Sequence, residues 1–104
     1  MSYATCDVQM LRGKDGEYVI KEFCVYDPNW DLDHAITVGP PYSDELIPRK
    51  YRKQNNYTTA YIHYLKWRSG QLPYDQLHDT IRSMTSYYTR LYVKGSCPLL
   101  HFRL

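Results

Sequence analysis

Carboxylates are missing from the end of this 104-residue chain, where no aspartate or glutamate follows Asp79. Residues 1–45 carry nine acids and three Lys/Arg, whereas residues 46–104 carry two acids and ten Lys/Arg. The first part therefore has a net charge of −6 and the second part +8, although the whole chain carries only +2. A site that needs carboxylates from the C-terminal part is excluded, and an anion-binding surface is favoured there.

Cysteine is scarce, and long apolar runs are absent. Cys6, Cys24 and Cys97 are widely spaced and odd in number, which argues against a disulfide framework or a structural zinc site. No run approaches the roughly 20 apolar residues that cross a bilayer, and the N-terminus lacks the features of a signal peptide. We therefore expect a single intracellular domain over residues 1–104, cytoplasmic or nuclear, that does not bind membranes.

Three β-rich runs in the acidic part predict an antiparallel meander. Residues 3–12 and 17–26 flank Gly13-Lys14-Asp15-Gly16, whose glycines take the positive φ that a hairpin turn requires. His34–Val38 is β-branched and is stopped by Gly39-Pro40-Pro41, so it is expected to be a third strand.

The basic part predicts helices and a fourth strand. Ser43-Asp44-Glu45 is typical of the capped start of a short helix ending before Pro48, and Arg49–Asn56 then reads as an exposed basic loop. Residues 57–68 are a predicted helix capped by Asn56. Its stripe is expected to face the core, because helical spacing suits packing on a sheet. The tyrosines on that stripe are Tyr57, Tyr61 and Tyr64.

The C-terminal third predicts a helix between strands. Pro73 suits a helix start, and apolar residues recur after it at three- and four-residue steps through Tyr88. Arg90–Lys94 is a predicted strand, and Leu99–Leu104 is expected to add an extended segment. A helix between strands implies a right-handed crossover that lays the last strand parallel to an earlier one. The predicted fold class is α/β, with a three-stranded antiparallel meander, then helices on one face and a parallel strand.

This order of elements resembles the start of the ribonuclease H-like fold, whose DEDD exonuclease branch carries a metal-binding Asp-x-Glu on its first strand. Asp7-Val8-Gln9 stands at that place here. Other segments resemble exonuclease-like open reading frames of arthropod genomes, viruses and mobile elements. These segments are Ile20–Phe23, Gly39–Pro41, Tyr61–Trp67, Gly70–Tyr74 and Tyr92–Gly95. The resemblance implies a partial, nuclease-derived domain.

The chain departs from that pattern where the chemistry is demanding. Two-metal cleavage of a phosphodiester needs several carboxylates around paired cations. Gln9 supplies a neutral oxygen where the pattern has an anion, and the later carboxylates, which should follow the fourth strand, are missing. Asp7 is left as the candidate catalytic residue. We expect a non-catalytic domain, with Mg²⁺ or Mn²⁺ as a cofactor only if a partner completes a nuclease site.

Asp27, Asp31, Asp33 and His34 cluster after the second strand, and Asp7 on the first strand is expected to approach them across the sheet. Oxygen ligands of this kind suit Mg²⁺ or Mn²⁺. The candidate ligands are Asp7, Asp31, Asp33 and His34. Aspartates in a turn that contains Pro28 also serve local backbone hydrogen bonds, and this second interpretation is the stronger one. No metal is therefore predicted for the chain on its own.

Cations and aromatic rings alternate between positions 49 and 68. Such a mixture neutralises phosphates and stacks on bases, with strong salt dependence and little sequence preference. The chain is predicted to bind RNA or single-stranded DNA through these residues, with Tyr51 and Trp67 as the stacking rings. The predicted contacts are Arg49, Lys50, Tyr51, Arg52, Lys53, Lys66, Trp67 and Arg68.

Two other functions stay open on the sequence alone. The acidic and basic parts suit complementary docking surfaces of a protein-interaction module, either a viral or element-encoded factor that engages a host protein or a homodimer. The other alternative is a metal-dependent nuclease that takes its missing acids from a partner.

Overall fold

A four-stranded mixed sheet organises the computed structural model, which describes residues 2–93. Strands β1 and β2 and then β3 form an antiparallel meander, and β4 pairs in parallel with β1, giving the order β3-β2-β1-β4. The strands are β1 (Tyr3–Arg12), β2 (Tyr18–Asp27), β3 (Leu32–Thr37) and β4 (Arg90–Val93). The fold class predicted from the sequence is confirmed, and the predicted segment 99–104 lies outside the described residues.

The β1–β2 hairpin turns where its glycines predict. Gly16 has φ of +80°, a conformation that costs glycine nothing. The register of β1 against β2 shifts between Gln9 and Met10, and such a bulge increases the local twist of a strand pair. Strand β3 begins two residues earlier than predicted, and Val38 instead forms a parallel bridge with Leu72.

The first helix differs from the prediction. Helix α1 (Arg49–Thr58) begins directly after Pro48 and continues into a π-helical turn (Thr59–His63), so the predicted basic loop is helical. The predicted helix over 57–68 was therefore wrong at both ends. Proline fixes its own φ and lacks an N–H, so it stops a preceding helix and suits the start of a following one equally well. The short turn before it (Asp44–Leu46) is 3₁₀-helical and is capped by Ser43 as predicted.

Helix α2 (Leu77–Thr85), preceded by a 3₁₀ turn (Tyr74–Gln76), covers one face of the sheet. Its Leu77 and Ile81 are buried against side chains that alternate along β1 and β2, as a strand with one covered face requires. The main core comprises Ala4, Cys6, Val8, Ile20, Phe23, Val25, Val38, Leu77 and Ile81. The described helices include none that is long and apolar enough to span a bilayer.

A second cluster closes the far end of the hairpin. Leu11 and Val19, which are directly paired, pack there with Ile47 and Trp67. Tyr42, Tyr51 and Tyr74 border the cluster. This cluster seats α1 and the loop after it against the sheet.

Candidate nucleic-acid interface

Helix α1 is fixed to the edge of β1 by a buried amide. The Asn55 side chain accepts a hydrogen bond from the Arg12 N–H at 2.7 Å and donates one to the Arg12 carbonyl at 2.9 Å, as a neighbouring strand would. His63 adds a third bond: its Nδ1 accepts from the Leu65 N–H, so its Nε2 carries the proton and donates to the Met10 carbonyl at 3.0 Å. These three bonds determine which side of α1 faces solvent.

The solvent side of α1 begins with four cations. Arg49, Lys50, Arg52 and Lys53 are all exposed, and the first turn contains no acid and no side-chain cap. The amino end of a helix carries partial positive charge. Cations at that end work against helix stability by about 0.3–1 kcal/mol, and a bound anion removes this penalty.

Two tyrosines continue the same side of the helix. Tyr57 and Tyr61 are 62% and 70% exposed, and their ring centroids lie 5.1 Å apart. Tyr64, which is 74% exposed, ends the π-helical turn with φ of +63°. The expectation that this stripe lies in the core was wrong, because the helix starts eight residues earlier and Asn55, rather than the tyrosine stripe, faces the sheet.

The two rings predicted to stack on bases occupy other positions. Trp67 is buried in the second cluster, and its Nε1 donates to the Tyr42 carbonyl at 2.9 Å. Tyr51 is half-buried against the same cluster, with the Lys50 Nζ at 4.9 Å and the Arg12 guanidinium at 5.5 Å from its ring centroid. Stacking by Trp67 is therefore excluded in this fold, and Tyr51 is only partly accessible.

The loop after α1 carries the remaining predicted contacts. Arg68 forms a salt bridge with Asp44 through two contacts of 3.2 Å, so part of its charge is neutralised within the chain. Lys66 is exposed. A cavity of about 350 Å³ is lined by Lys66 and Arg68 of this loop, by Asn56 of α1 and by Ala60 of the π-helical turn. The loop therefore borders the helix across this cavity.

We call Arg49, Lys50, Arg52, Lys53, Tyr57 and Tyr61 the α1 surface. It unites four of the eight residues predicted from the sequence with two rings that were assigned to the core. The sequence does contain a signal for the rings. Lys53, Tyr57 and Tyr61 follow one another at four-residue steps, which places them on one side of a helix.

Lys21 anchors the loop that follows α1. Its side chain is 1% exposed, and its Nζ donates to the carbonyls of Trp67 at 2.6 Å and Ser69 at 2.8 Å. Burial lowers the pKa of Lys21 from 10.5 to about 8, because removal from water disfavours the charged form. The loop is thus held by a buried ammonium group whose pKa is only slightly above neutral pH.

We expect the free energy of unfolding to rise with pH because of Lys21. The unfolded chain holds that proton up to about pH 10.5 and the folded chain only up to about pH 8, so unfolding takes up a proton between those values. The rise from this group is about 1 kcal/mol between pH 7 and 9. Urea denaturation of the wild type and of Lys21→Met at both pH values measures it. An equal pH dependence in the two proteins would contradict this role.

The opposite face of the sheet carries acids and rings. Asp7 lies directly opposite Cys24, and Asp33 opposite Tyr26, so their side chains share one face. No described element covers this face, and a groove of about 430 Å³ runs along it between Tyr26 and Tyr92. We call this the sheet surface, defined by Thr5, Asp7, Glu22, Cys24, Tyr26, Asp33 and Tyr92.

The acids around Cys24 act together. Burial raises the pKa of the Cys24 thiol to about 11, and the negative charges of Glu22, Asp33 and Asp7 add to the effect. The Cys24 Sγ lies 3.8 Å from Glu22 Oε1. Cys24 is therefore a protonated, poorly nucleophilic thiol at neutral pH, and three carboxylates are close enough to reinforce one another's potential.

The candidate metal ligands are not brought together as the sequence suggested. His34 is paired with Val25 and lines a cavity beside α2, on the face opposite Asp7 and Asp33. Among residues 2–93, no three side chains of metal-ligating type meet closely enough to hold an ion. Asp31 and Asp27 serve local contacts instead. Asp31 accepts from the Tyr26 hydroxyl, and Asp27 accepts from the Tyr88 hydroxyl and the Asn29 N–H.

No protein-family model, curated protein or solved structure matches this chain. The resemblance to ribonuclease H-like exonucleases therefore stays a prediction from the sequence. The function has to come from the geometry of the two surfaces described above.

Proposed function

We propose that this protein binds single-stranded nucleic acid, RNA or DNA, through the α1 surface and does not cleave it. The observation that supports this best is that four exposed cations and two exposed tyrosine rings lie together on α1 and the π-helical turn that continues it. Such a domain, derived from a nuclease-like fold, would act in the cytoplasm or the nucleus.

Charge supports the phosphate contacts. The sequence has no acid between Glu45 and Asp75, so nothing within that segment opposes the potential of α1. Arg68 is the cation in this region that is held by an acid of the described chain. Four cations within the first five residues of α1 can neutralise phosphates without reading bases.

Exposure of the rings supports the base contacts. Large exposed apolar groups that lie side by side usually mark a binding site. A base that stacks on a tyrosine contributes about 1–3 kcal/mol, whatever its identity. Stacking needs an unpaired base, so single strands are favoured over duplexes.

A salt titration tests the proposal. We expect the affinity for a fluorescein-labelled oligo-uridine or oligo-thymidine 20-mer, measured by anisotropy, to fall with a log–log salt slope of about −3 if four phosphates are neutralised. Arg49, Lys50, Arg52 and Lys53 changed together to Ala should flatten that slope and lower the affinity at least tenfold.

The matched control changes two exposed cations away from α1. Arg82 on α2 and Arg90 on β4 are both exposed, and changing them to Ala should leave the slope near its wild-type value. The control removes two charges where the α1 variant removes four, so a change of slope about half as large as that of the α1 variant would show attraction by total charge alone. A wild-type affinity that does not depend on salt would rule out the α1 surface as a phosphate-binding site.

A further inference from the structure

We propose that the sheet surface docks the α1 surface of a second copy of this chain, head to tail. The inference is independent of nucleic-acid binding, although it uses one of the same surfaces. It explains the division of charge along the chain, which a role of α1 alone leaves unexplained.

The sheet surface has the form of an incomplete interface. Helix α2 covers one face of the sheet, while on the other face Tyr26 is 38% exposed and Tyr92 is 51% exposed. A sheet normally buries its second face against another layer when that face carries large rings. The groove of about 430 Å³ between these rings has room for a side chain of a docking helix.

Charge identifies the occupant. Asp7 is paired with Cys24 and Asp33 with Tyr26 on this face, and Glu22 Oε1 lies 3.8 Å from Cys24 Sγ. Three carboxylates therefore concentrate negative potential on the sheet surface. The α1 surface presents four cations beside two rings. Opposite potentials steer association and fix the orientation of partners. Because the whole chain carries only +2, two copies repel each other weakly at long range.

Helix α1 does not cover the sheet surface of its own molecule. Asn55 and His63 hold that helix to the edge of β1 through the Arg12 and Met10 backbones. In this fold α1 therefore does not reach the sheet surface of its own molecule, whereas the α1 surface of a second copy is free to do so. Two different surfaces in contact form a heterologous interface, which leaves one unused surface at each end and permits further addition.

Sedimentation velocity of nuclease-treated protein tests this proposal. We expect the mean mass of the wild type to rise at least twofold between 10 µM and 500 µM protein in 50 mM salt, and to return to the monomer in 500 mM salt. Glu22→Lys/Asp33→Lys removes the acidic surface, and Lys50→Glu/Lys53→Glu removes the basic one. Each variant alone should stay monomeric.

Mixing the two variants gives the decisive result. Each retains the surface that the other lacks, so an equimolar mixture should form 1:1 dimers and nothing larger. A mixture of two monomeric variants that stays monomeric would overturn the proposal, as would a wild type that is monomeric at 500 µM in low salt. Circular dichroism of both variants establishes that they are folded.

The outcome is separable from that of the proposed function. Glu22→Lys/Asp33→Lys should abolish self-association without lowering the affinity for the labelled 20-mer. In the wild type, an excess of unlabelled 20-mer should dissociate the assembly, because both partners compete for α1. If the quadruple Ala variant of Arg49, Lys50, Arg52 and Lys53 has shown that the 20-mer binds α1, assembly that persists in saturating 20-mer would show that α1 is not the docking helix.

Discussion

Changing Tyr57 and Tyr61 together to Ala should lower the affinity for a single-stranded 20-mer by 10- to 100-fold, the loss expected when one or two stacked bases lose their platform. The salt slope should stay at its wild-type value, because no cation is removed. Both rings are more than half exposed, so the free energy of unfolding should change by less than about 0.5 kcal/mol. Anisotropy titrations at several salt concentrations measure affinity and slope together.

Two comparison variants make this result specific. Tyr57→Phe/Tyr61→Phe keeps the rings and should retain most of the wild-type affinity. If the tyrosines instead bind through their hydroxyl groups, the Phe variant should be as weak as the Ala variant. Tyr87, which is 68% exposed and lies beyond α2, serves as the surface control. If Tyr87→Ala weakens binding as much as the α1 double variant does, stacking on α1 is wrong.

Gly70→Ala should destabilise the fold by about 3 kcal/mol or more. Gly70 has φ of +130°, and a Cβ there would overlap the backbone carbonyl of Val38. The contact belongs to the bridge between Val38 and Leu72, which joins the loop after α1 to the end of β3. Urea denaturation followed by circular dichroism measures the loss.

Gly39 is the matched control within the same contact. A Cβ at Gly39 would lie 3.5 Å from the Leu72 carbonyl oxygen, an ordinary van der Waals distance. Gly39→Ala should therefore cost less than about 1 kcal/mol. If the two alanine variants have equal stability, the close packing of this loop against the sheet is not what positions it.

The sheet could be predicted from the sequence because its signals are local. The Gly13–Gly16 segment marks the hairpin, although only Gly16 takes the expected positive φ, and Gly39-Pro40-Pro41 ends the region of β3. The periodic residues after Pro73 place Leu77 and Ile81 on the core side of α2, as the structure confirms. The crossover rule then leaves β4 one orientation, parallel to β1.

The course of α1 could not be predicted because its main determinant lies far away in sequence. Asn55 faces inward since it bonds the Arg12 backbone, 43 residues earlier. Arg, Lys and Gln favour a helix in this segment and Pro48 suits its start, so the helix itself had a local signal, whereas the side that it turns to the sheet had none. The sequence also cannot show that Trp67 completes a cluster with Leu11 and Val19, which removes it from the surface.

The cations of the candidate site were predictable and its rings were not. Exposed charges at 49–53 follow from composition, because four cations in five residues cannot all be buried. Rings are ambiguous, since tyrosine suits both core and surface. The contacts of Asn55 and His63 decide whether a tyrosine of this region lies in the core or on the surface. As a result, the candidate stacking rings are Tyr57 and Tyr61 instead of Tyr51 and Trp67.

The most direct test of the central claim is to map the bound strand by amide chemical shifts. A ¹⁵N-labelled sample, kept at a concentration where sedimentation shows only the monomer, is titrated with an unlabelled oligo-uridine 12-mer. It should show its largest shift changes between Arg49 and Tyr61, with Asp7, Cys24 and Tyr26 nearly unchanged. Shift changes centred on the sheet surface, with α1 unaffected, would contradict the proposal that this helix binds nucleic acid.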